Sequence, residues 1–482
     1  MQLMDLQNDF PEIQNHPLRN LKIENFSRSN EDFNQHTVFV AIKGNRWDGH
    51  SAIGEALANK VPLVVCENTD EQDQRILKVK NSRKFYAHLA SLYYGDLSKS
   101  MPMIGVTGTN GKTTVAYMIE SLWSKLGQPI GLIGTIDHHF QNKVWESSLT
   151  SPDAKGLHHR LCDFADAGAR GVVMEASSHA IEQDRLAAID WDACVFTNLS
   201  QDHLDYHLTM ENYFQAKAKL FLQGLKASAK KNPIAILNQD DTYVQRLLKS
   251  PDLPIRSFGK HGAQLSFQIL QQSLDGMSLR WTYEGKSREI SYSLFGEHNA
   301  YNLAAALLTA EVLQHQPLEV AEQLSTGVRV PGRLERVNNP QGIYVFIDYA
   351  HTPDALENVL SFLKTVSGQG KIFSVYGCGG ERDKQKRPLM ASAGEKYADH
   401  LILTSDNPRG EEPAKILEDM QKGLKQPATI IEDRSTAIHH ALSQAKAGDI
   451  VLIAGKGHEQ YQEIAGKRLK FSDKQQVLDY FA

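Results

Sequence analysis

The sequence predicts an α/β protein of three domains, and three observations carry that prediction. The chain has 482 residues, more than a single hydrophobic core ordinarily organises. Short apolar runs of strand length recur along it, separated by helical or polar stretches, which is the rhythm of a parallel sheet. One such run, at 103–107, leads into Gly108-Thr109-Asn110-Gly111-Lys112-Thr113-Thr114 and then into a helical pattern at 115–126 closed by Gly127. Strand, glycine-rich loop and helix in that order form a phosphate-binding element.

The first stretch mixes strand-like runs at 37–42 and 61–66 with a polar turn at 43–49, and predicts a small α/β module over 1–98. Further buried-strand candidates at 171–174, 193–197 and 234–237 extend the sheet begun at 103, so residues 99–331 are expected to form a central P-loop-type parallel-sheet domain. Pro331-Gly332 then breaks the chain. Beyond it, runs at 344–347, 372–376, 400–404 and 450–454 each end in a polar turn bearing Gly or Asp, which predicts a Rossmann-like C-terminal domain over 332–482. In open parallel sheets ligands gather beyond the carboxyl ends of strands, so those turns are where chemistry is expected.

Composition excludes several function classes. A formal charge of −5 gives no global attraction to nucleic acid. Cys66, Cys162, Cys194 and Cys378 lie far apart without zinc-ligand spacing, which points to reduced thiols and no structural metal. Residues 1–20 are polar and acidic, and nowhere do eighteen apolar residues run together. A cytoplasmic protein without membrane insertion, acting as a monomer on small molecules, is the expectation.

In the loop at 108–114, glycines let backbone amides wrap around phosphates while the helix dipole favours negative charge. Lys112 is placed to hold the outer phosphates of a nucleoside triphosphate and Thr113 a magnesium ion. The first glycine of the full G-x-x-x-x-G-K-[ST] pattern would fall at Val106, and Gly105 misses it by one. Glu175 follows the run at 171–174 and offers a carboxylate near the loop, either as a magnesium ligand or as a strand-end ion-pair partner. Lys217 and Lys219 lie two apart on a helical pattern, about 200° around the axis. Only one of them can face a site.

The shortened loop GTNGKTT resembles that of the Mur ligase family and of the folylpolyglutamate synthases similar to it, and further motifs follow in the family's order. Asp202-His203-Leu204-Asp205 resembles the segment whose histidine is a magnesium ligand, which implies that role for His203. The segment 213–221 resembles the one bearing a lysine carbamylated by carbon dioxide, and Lys217 stands at that position. Gly296-Glu297-His298-Asn299-Ala300-Tyr301-Asn302 resembles G-x-H-N-x-x-N, implying that Asn299 and Asn302 meet adenine; an N-capping turn at Asn299 is the plainer alternative. Pro331-Gly332-Arg333-Leu334-Glu335 matches P-G-R-x-E, implying that Arg333 reaches the γ-phosphate. Asp348-Tyr349-Ala350-His351-Thr352-Pro353 matches D-Y-A-H-x-P, which implies that Asp348 and His351 border the nucleotide.

Three segments of the last domain resemble the amino-acid-binding segments of the family's diaminopimelate-adding branch: 379–383 with Arg382, Asp406-Asn407-Pro408-Arg409, and 455–459 with Gly455 and Glu459. The D-N-P-R form is associated there with meso-diaminopimelate. That amino acid carries a carboxylate and an ammonium at its far end, and lysine carries the ammonium alone. A planar guanidinium at Arg409 offers two parallel hydrogen bonds to the extra carboxylate, with Glu459 available to the ammonium. A capping turn in which Pro408 starts a helix is the bland alternative. Ser27, Thr150, Ser151, Ser177, Gln183 and Arg185 match positions that hold the UDP-MurNAc-dipeptide in the family, although Phe26 replaces the acidic residue expected before Ser27. The resemblance thus implies an ATP- and magnesium-dependent ligase that adds meso-diaminopimelate to the D-Glu side-chain carboxylate of UDP-MurNAc-L-Ala-D-Glu. L-lysine as the amino acid, a sister ligase, and a non-enzymatic ATP switch remain the alternatives.

Overall fold

The computed structural model describes residues 1–44, 47–146 and 149–482; two positions of the turn expected at 43–49 lie outside them. Among the described residues three large sheets, each with its own apolar core, and one two-stranded sheet are strung along the chain. The first is wholly parallel, in the order Asn25–Ser27, Thr37–Val40, Val64–Cys66, Ile76–Lys78. Helix Ser82–Tyr93 packs on it through Phe85 and Leu89, and Asn81 starts that helix by accepting a hydrogen bond from the Lys84 N–H at 2.9 Å.

The central sheet has eleven strands. Its middle is parallel: Ile255–Gly259, Ile234–Asn238, Ala193–Phe196, Met103–Thr107, Val172–Glu175 and Gly131–Ile133 lie side by side. All five residues of Met103–Thr107 are buried, as a strand covered on both faces requires. Antiparallel wings close both edges, Leu265–Ser273, Gly276–Tyr283 and Lys286–Tyr292 on one side and His138–Phe140 with Lys143–Trp145 on the other. The sequence pattern did not reveal these wings. Buried and partly exposed residues alternate along Gly276–Tyr283, so it lacks the continuous apolar run that marks a parallel strand. Helix Lys112–Lys125 buries Val115, Ile119, Leu122 and Trp123, and the Trp123 indole N–H donates to Thr309 Oγ1 at 3.1 Å.

The second wing is fastened to that helix by a histidine between two carboxylates. His139 Nδ1 lies 2.6 Å from Asp137 and Nε2 3.1 Å from Glu120. Burial alone would depress the imidazolium, but the hydrogen bonds and charge of the two carboxylates outweigh it and push the group up to about 9 from 6.5. A folded-state value above the unfolded one adds stability that is complete below pH 6.5 and lost as pH rises through about 9. We expect urea unfolding to show a loss of roughly 3 kcal/mol across that window. His139→Gln should flatten it, and an identical slope in the variant would refute the assignment.

The third sheet runs Glu335–Val337, Tyr344–Asp348, Ile450–Ala454, Ile372–Tyr376, His400–Leu403, Thr429–Ile430, parallel except for its first strand. Helix Pro353–Val366 begins as the sequence signals, with Pro353 in its first turn and Thr352 Oγ1 accepting from the Ala355 N–H. A small hairpin, Tyr461–Ile464 with Lys467–Lys470, stands apart from the sheet. No helix among the described residues is long and apolar enough to cross a membrane.

Candidate active site

The loop at 108–114 leaves the carboxyl end of Met103–Thr107 and enters helix Lys112–Lys125. Gly111, with φ +87°, occupies the N-cap without a side-chain cap, so the first-turn amides remain for an anion. Gly108 has φ +142°, and a Cβ there would fall 1.9 Å from Thr197 Oγ1, which excludes any other residue. Thr109 N–H donates to Asn198 O and Asn110 N–H to Asn198 Oδ1, both at 2.9 Å, so the neighbouring strand's exit fixes the curl of the loop. Lys112 Nζ folds back onto the carbonyls of Gly108 and Thr109, at 3.0 and 2.8 Å. Thr114 is buried in the first turn of the helix.

Glu175 is fully buried at the end of Val172–Glu175. Its Oε2 accepts from Thr113 Oγ1 and Thr135 Oγ1, each at 3.0 Å, and its Oε1 from the Thr135 N–H at 2.8 Å. The carboxylate is therefore tied to the loop hydroxyl and not to a strand-end cation. These hard oxygens fit a magnesium ion that takes one or two protein ligands and fills its other positions with phosphate and water. His203 sits nearby with φ +54°, a left-handed conformation that histidine adopts more readily than most side chains. Its ring lies 5.1 Å from that of His179 and its Nε2 3.5 Å from Asp202, with the side chain still open to solvent.

Lys217 is buried on helix Met210–Lys219, its Nζ donating to Gly108 O at 2.8 Å. Lys219 faces away and pairs with Glu182 at 2.8 Å. Burial first, and then the charge of Lys112, hold the Lys217 amine well below the ordinary lysine range. Helix Met210–Lys219 passes directly into a π-helical turn, Leu220–Leu225, a widening that recurs at functional sites.

Side chains from beyond residue 331 close over this loop. Arg333 Nη2 donates to Thr113 Oγ1 at 3.1 Å, and its guanidinium lies 4.5 Å from the centre of the Tyr349 ring. Gly332, with φ +64°, lets the hinge touch the loop at 455–459, where a Cβ would sit 2.1 Å from the His458 N. Asp348 accepts from the Leu334 and Ala350 N–H groups at 2.6 and 2.7 Å and so shapes the hinge. Asp354, the residue directly after the motif at 348–353, accepts from Asn110 Nδ2 and Ser200 Oγ, at 2.9 and 3.2 Å. His351 Nδ1 lies 2.9 Å from Tyr349 O. Asn299 is not the cap of its helix: Gly296 occupies the N-cap of Glu297–Leu308, and Asn299 Nδ2 donates backward to Phe295 O. Asn302 Nδ2 donates to Asn299 Oδ1 at 3.1 Å, and the Asn302 amide lies against Gly111.

On the other side of Glu175 a second group gathers. Ser151 Oγ donates to Glu175 O at 2.7 Å and accepts from the Ser177 N–H, and Thr150 Oγ1 lies 3.1 Å from Thr135 Oγ1. Arg185 donates to Ser151 O at 3.0 Å and, through Nε and Nη2, to Gln183 Oε1. Ser27 stands on the first sheet, its Oγ donating to Asp32 at 2.5 Å. The Arg28–Asp153 ion pair, at 3.0 Å, ties that sheet to the start of helix Ala154–Asp166. A cleft of about 370 Å³ at this junction is lined by Ser27, Arg28, Tyr86, Tyr94, Lys155 and His159, among others.

The three turns of the last sheet interlock. Gly380 N–H donates to Asn407 O at 2.9 Å, and Arg409 Nη1 to Gly380 O at 2.7 Å. Asn407 Nδ2 and the buried Lys456 Nζ both donate to Glu459 Oε2 at 2.8 Å, while Asn407 Oδ1 accepts from Lys456 Nζ and the Glu463 N–H. Arg409 adopts φ +52° and is stitched by both backbone groups to the small hairpin, whose Glu463 lies 3.5 Å from its Nε. Pro408 starts no helix; the next begins at Pro413. Asp406 meets Gly455, where a Cβ would fall 2.6 Å from Asp406 Oδ2. Arg382 flanks Gly379 beside Arg409.

Residues 106–310 match the family model of the Mur ligase middle domain, and residues 332–457 that of the Mur ligase glutamate ligase domain. The chain belongs to the Mur ligase family. It is 43% identical over 460 residues, 95% of this chain and 93% of the relative, to the UDP-N-acetylmuramoyl-L-alanyl-D-glutamate–2,6-diaminopimelate ligase of Aquifex aeolicus (strain VF5). It is 37% identical to the protein of the same name from Bacillus cereus, over 98% of this chain and 96% of that one. A solved structure of a ligase bearing this name superposes with a TM-score of 0.71 at 33% identity, covering 98% of both chains. The MurF ligase of Thermotoga maritima, solved with ADP, shares the fold at TM-score 0.63 and 21% identity, over 95% of this chain and 97% of that one.

Within this Mur ligase, several residues of the site carried no sequence signal that set them apart. Thr135, which gives Glu175 two hydrogen bonds, lies between Gly134 and Ile136, outside every motif that carried the resemblance. Lys456 was inside a quoted motif, but only the fold shows it buried between Asn407 and Glu459. Glu463 belongs to a hairpin that bears no resemblance-carrying motif.

Proposed function

We propose that this Mur ligase joins meso-diaminopimelate to the D-Glu side-chain carboxylate of UDP-MurNAc-L-Ala-D-Glu at the expense of ATP. The observation that carries this reading is one unbroken chain of hydrogen bonds: Arg185 to Ser151, Ser151 to Glu175, Thr113 to Glu175, and Arg333 to Thr113. It runs from the residues matched to the dipeptide, through the loop matched to phosphate, to the arginine of the C-terminal domain. An acid acceptor, a phosphoryl donor and an incoming amine need such a shared cleft, because positioning supplies much of the rate.

In this reading the acceptor carboxylate, held near Ser151, Ser177 and Arg185, attacks the γ-phosphorus and ADP departs. The amine then attacks the acyl phosphate, and phosphate leaves from the tetrahedral intermediate. Lys112 and Arg333 neutralise charge on the transferring phosphoryl group, and the amides of the first helical turn hold it in place. Magnesium, held by Thr113 and Glu175 and at a second position by His203 and Lys217, would add Lewis-acid neutralisation of the phosphates. Asn299 and Asn302 receive the adenine, and Asp348 and His351 border the nucleotide. Lys217 serves as a carbamate: the ammonium first gives up a proton, which its desolvation favours, the free amine attacks carbon dioxide, an N–C bond forms and a second proton leaves, so that a cation becomes an anionic oxygen ligand.

Arg382, Asp406, Asn407, Pro408, Arg409, Gly455 and Glu459 form the amino-acid subsite. Glu459 Oε2 is occupied by two donors, and Oε1 has no hydrogen-bond partner among the described residues. The deciding experiment is phosphate release from ATP by the purified protein with UDP-MurNAc-L-Ala-D-Glu and a panel of meso-diaminopimelate, L-lysine and D-Ala-D-Ala. Release is expected only with the dipeptide and meso-diaminopimelate together, with kcat/KM favouring it over lysine by on the order of 10⁴, because lysine has no carboxylate for the donors of Arg409 that Gly380 and Glu463 leave over. Release indifferent to both substrates would instead identify an ATP-driven switch.

A further inference from the structure

We propose that Arg434, anchored by Asp473, is a positioning residue that sets the spacing between the loops at 406–409 and 455–459; the inference rests on their assignment to the amino acid. Arg434 lies at the start of helix Arg434–Gln444, outside every motif that marked the site, and its side chain is fully buried. Its Nη1 donates to Ser405 O at 3.3 Å and its Nη2 to Ala454 O at 2.8 Å. Those two carbonyls are the last before the two loops begin. They follow His400–Leu403 and Ile450–Ala454, which lie on opposite sides of Ile372–Tyr376, so no direct strand pairing sets the distance between them.

The planar guanidinium bridges that gap, and Asp473 fixes its plane through two bonds, to Nε at 2.7 Å and to Nη2 at 2.8 Å. Above the bridge the loops touch with no slack. Gly455 meets Asp406, and Asn407 and Lys456 share Glu459. A change in spacing at the carbonyls therefore reaches the groups that would hold the far end of the amino acid. The phosphate loop follows a strand of another sheet, and the Arg434 guanidinium itself makes no hydrogen bond to it.

A buried ion pair also holds the C-terminal helix Asp473–Phe481 in place, so loss of one partner can unfold the domain. The test therefore replaces both partners with apolar residues of similar volume, Arg434→Met with Asp473→Leu, a change that folded proteins tolerate. A second variant, Arg434→Lys, keeps the charge but cannot span both carbonyls. In each, KM for meso-diaminopimelate is expected to rise by roughly tenfold to a hundredfold, with KM for ATP and for UDP-MurNAc-dipeptide within about twofold of the parent. Arg409→Ala serves as the control. An unchanged KM for meso-diaminopimelate in both Arg434 variants, with a raised one in Arg409→Ala, overturns the inference alone. An unchanged KM in Arg409→Ala as well overturns the loop assignment and the inference with it. A parallel rise of all three KM values overturns the inference in favour of a purely structural ion pair. Should the double variant fail to fold, Arg434→Lys decides between the same outcomes.

Discussion

Replacing Lys217 with alanine is expected to lower kcat by roughly 10³-fold while the protein stays folded. A buried lysine that donates to a single carbonyl is a poor contributor to stability, because desolvation of its cation opposes folding. The melting temperature of Lys217→Ala should therefore hold or rise, which separates a chemical defect from a folding one. If the functional species is a carbamate, short carboxylic acids such as formate or acetate, entering the space vacated, should restore part of the rate. Full activity in the variant would remove Lys217 from the reaction. A large loss that no carboxylic acid relieves would show that the amine itself, not an anion in its place, is what the site needs. Isotope-labelled bicarbonate should add a carbamate carbon signal to the parent protein and none to the variant.

Arg409→Ala is expected to raise KM for meso-diaminopimelate about 100-fold, a change of about 2.7 kcal/mol, and to leave KM for ATP within about twofold. Arg409 is held by Gly380 O and the Glu463 side, and its backbone is pinned to the hairpin in a left-handed conformation. A side chain so constrained presents its remaining donors without further loss of rotamer freedom, which is the condition for strong recognition of a planar carboxylate. Arg409→Lys should not recover the affinity, since an ammonium offers a point charge in place of a fork. The preference for meso-diaminopimelate over L-lysine should narrow in the alanine variant. Equal rises in KM for ATP and for the amino acid would count against the role assigned to Arg409.

The phosphate loop, the parallel strands that lead to it and the order of motifs are written locally, and for that reason they could be read without coordinates. A buried parallel strand is a continuous apolar run, a loop for phosphates needs glycine at particular steps, and a helix start needs a cap. The same locality explains what was missed. The antiparallel wings lack that run because one face is wet, and Asn299 and Pro408 carry residue types that fit a cap or helix start equally well until the chain path is known. The roles of His203, Asn299 and Arg409 came from resemblance alone.

By itself, then, the sequence determined the phosphate loop and the buried parallel strands that flank it, because short-range backbone preferences and apolar periodicity are encoded within a few residues. Only the tertiary structure decided how they meet. Thr113 and Arg333 are 220 residues apart yet lie 3.1 Å from each other, and Ser405 and Ala454 are joined by one buried guanidinium. Contacts of that kind depend on how three separately cored sheets pack, and on which charges are stripped of water when they do, and neither is a property of any short stretch of chain.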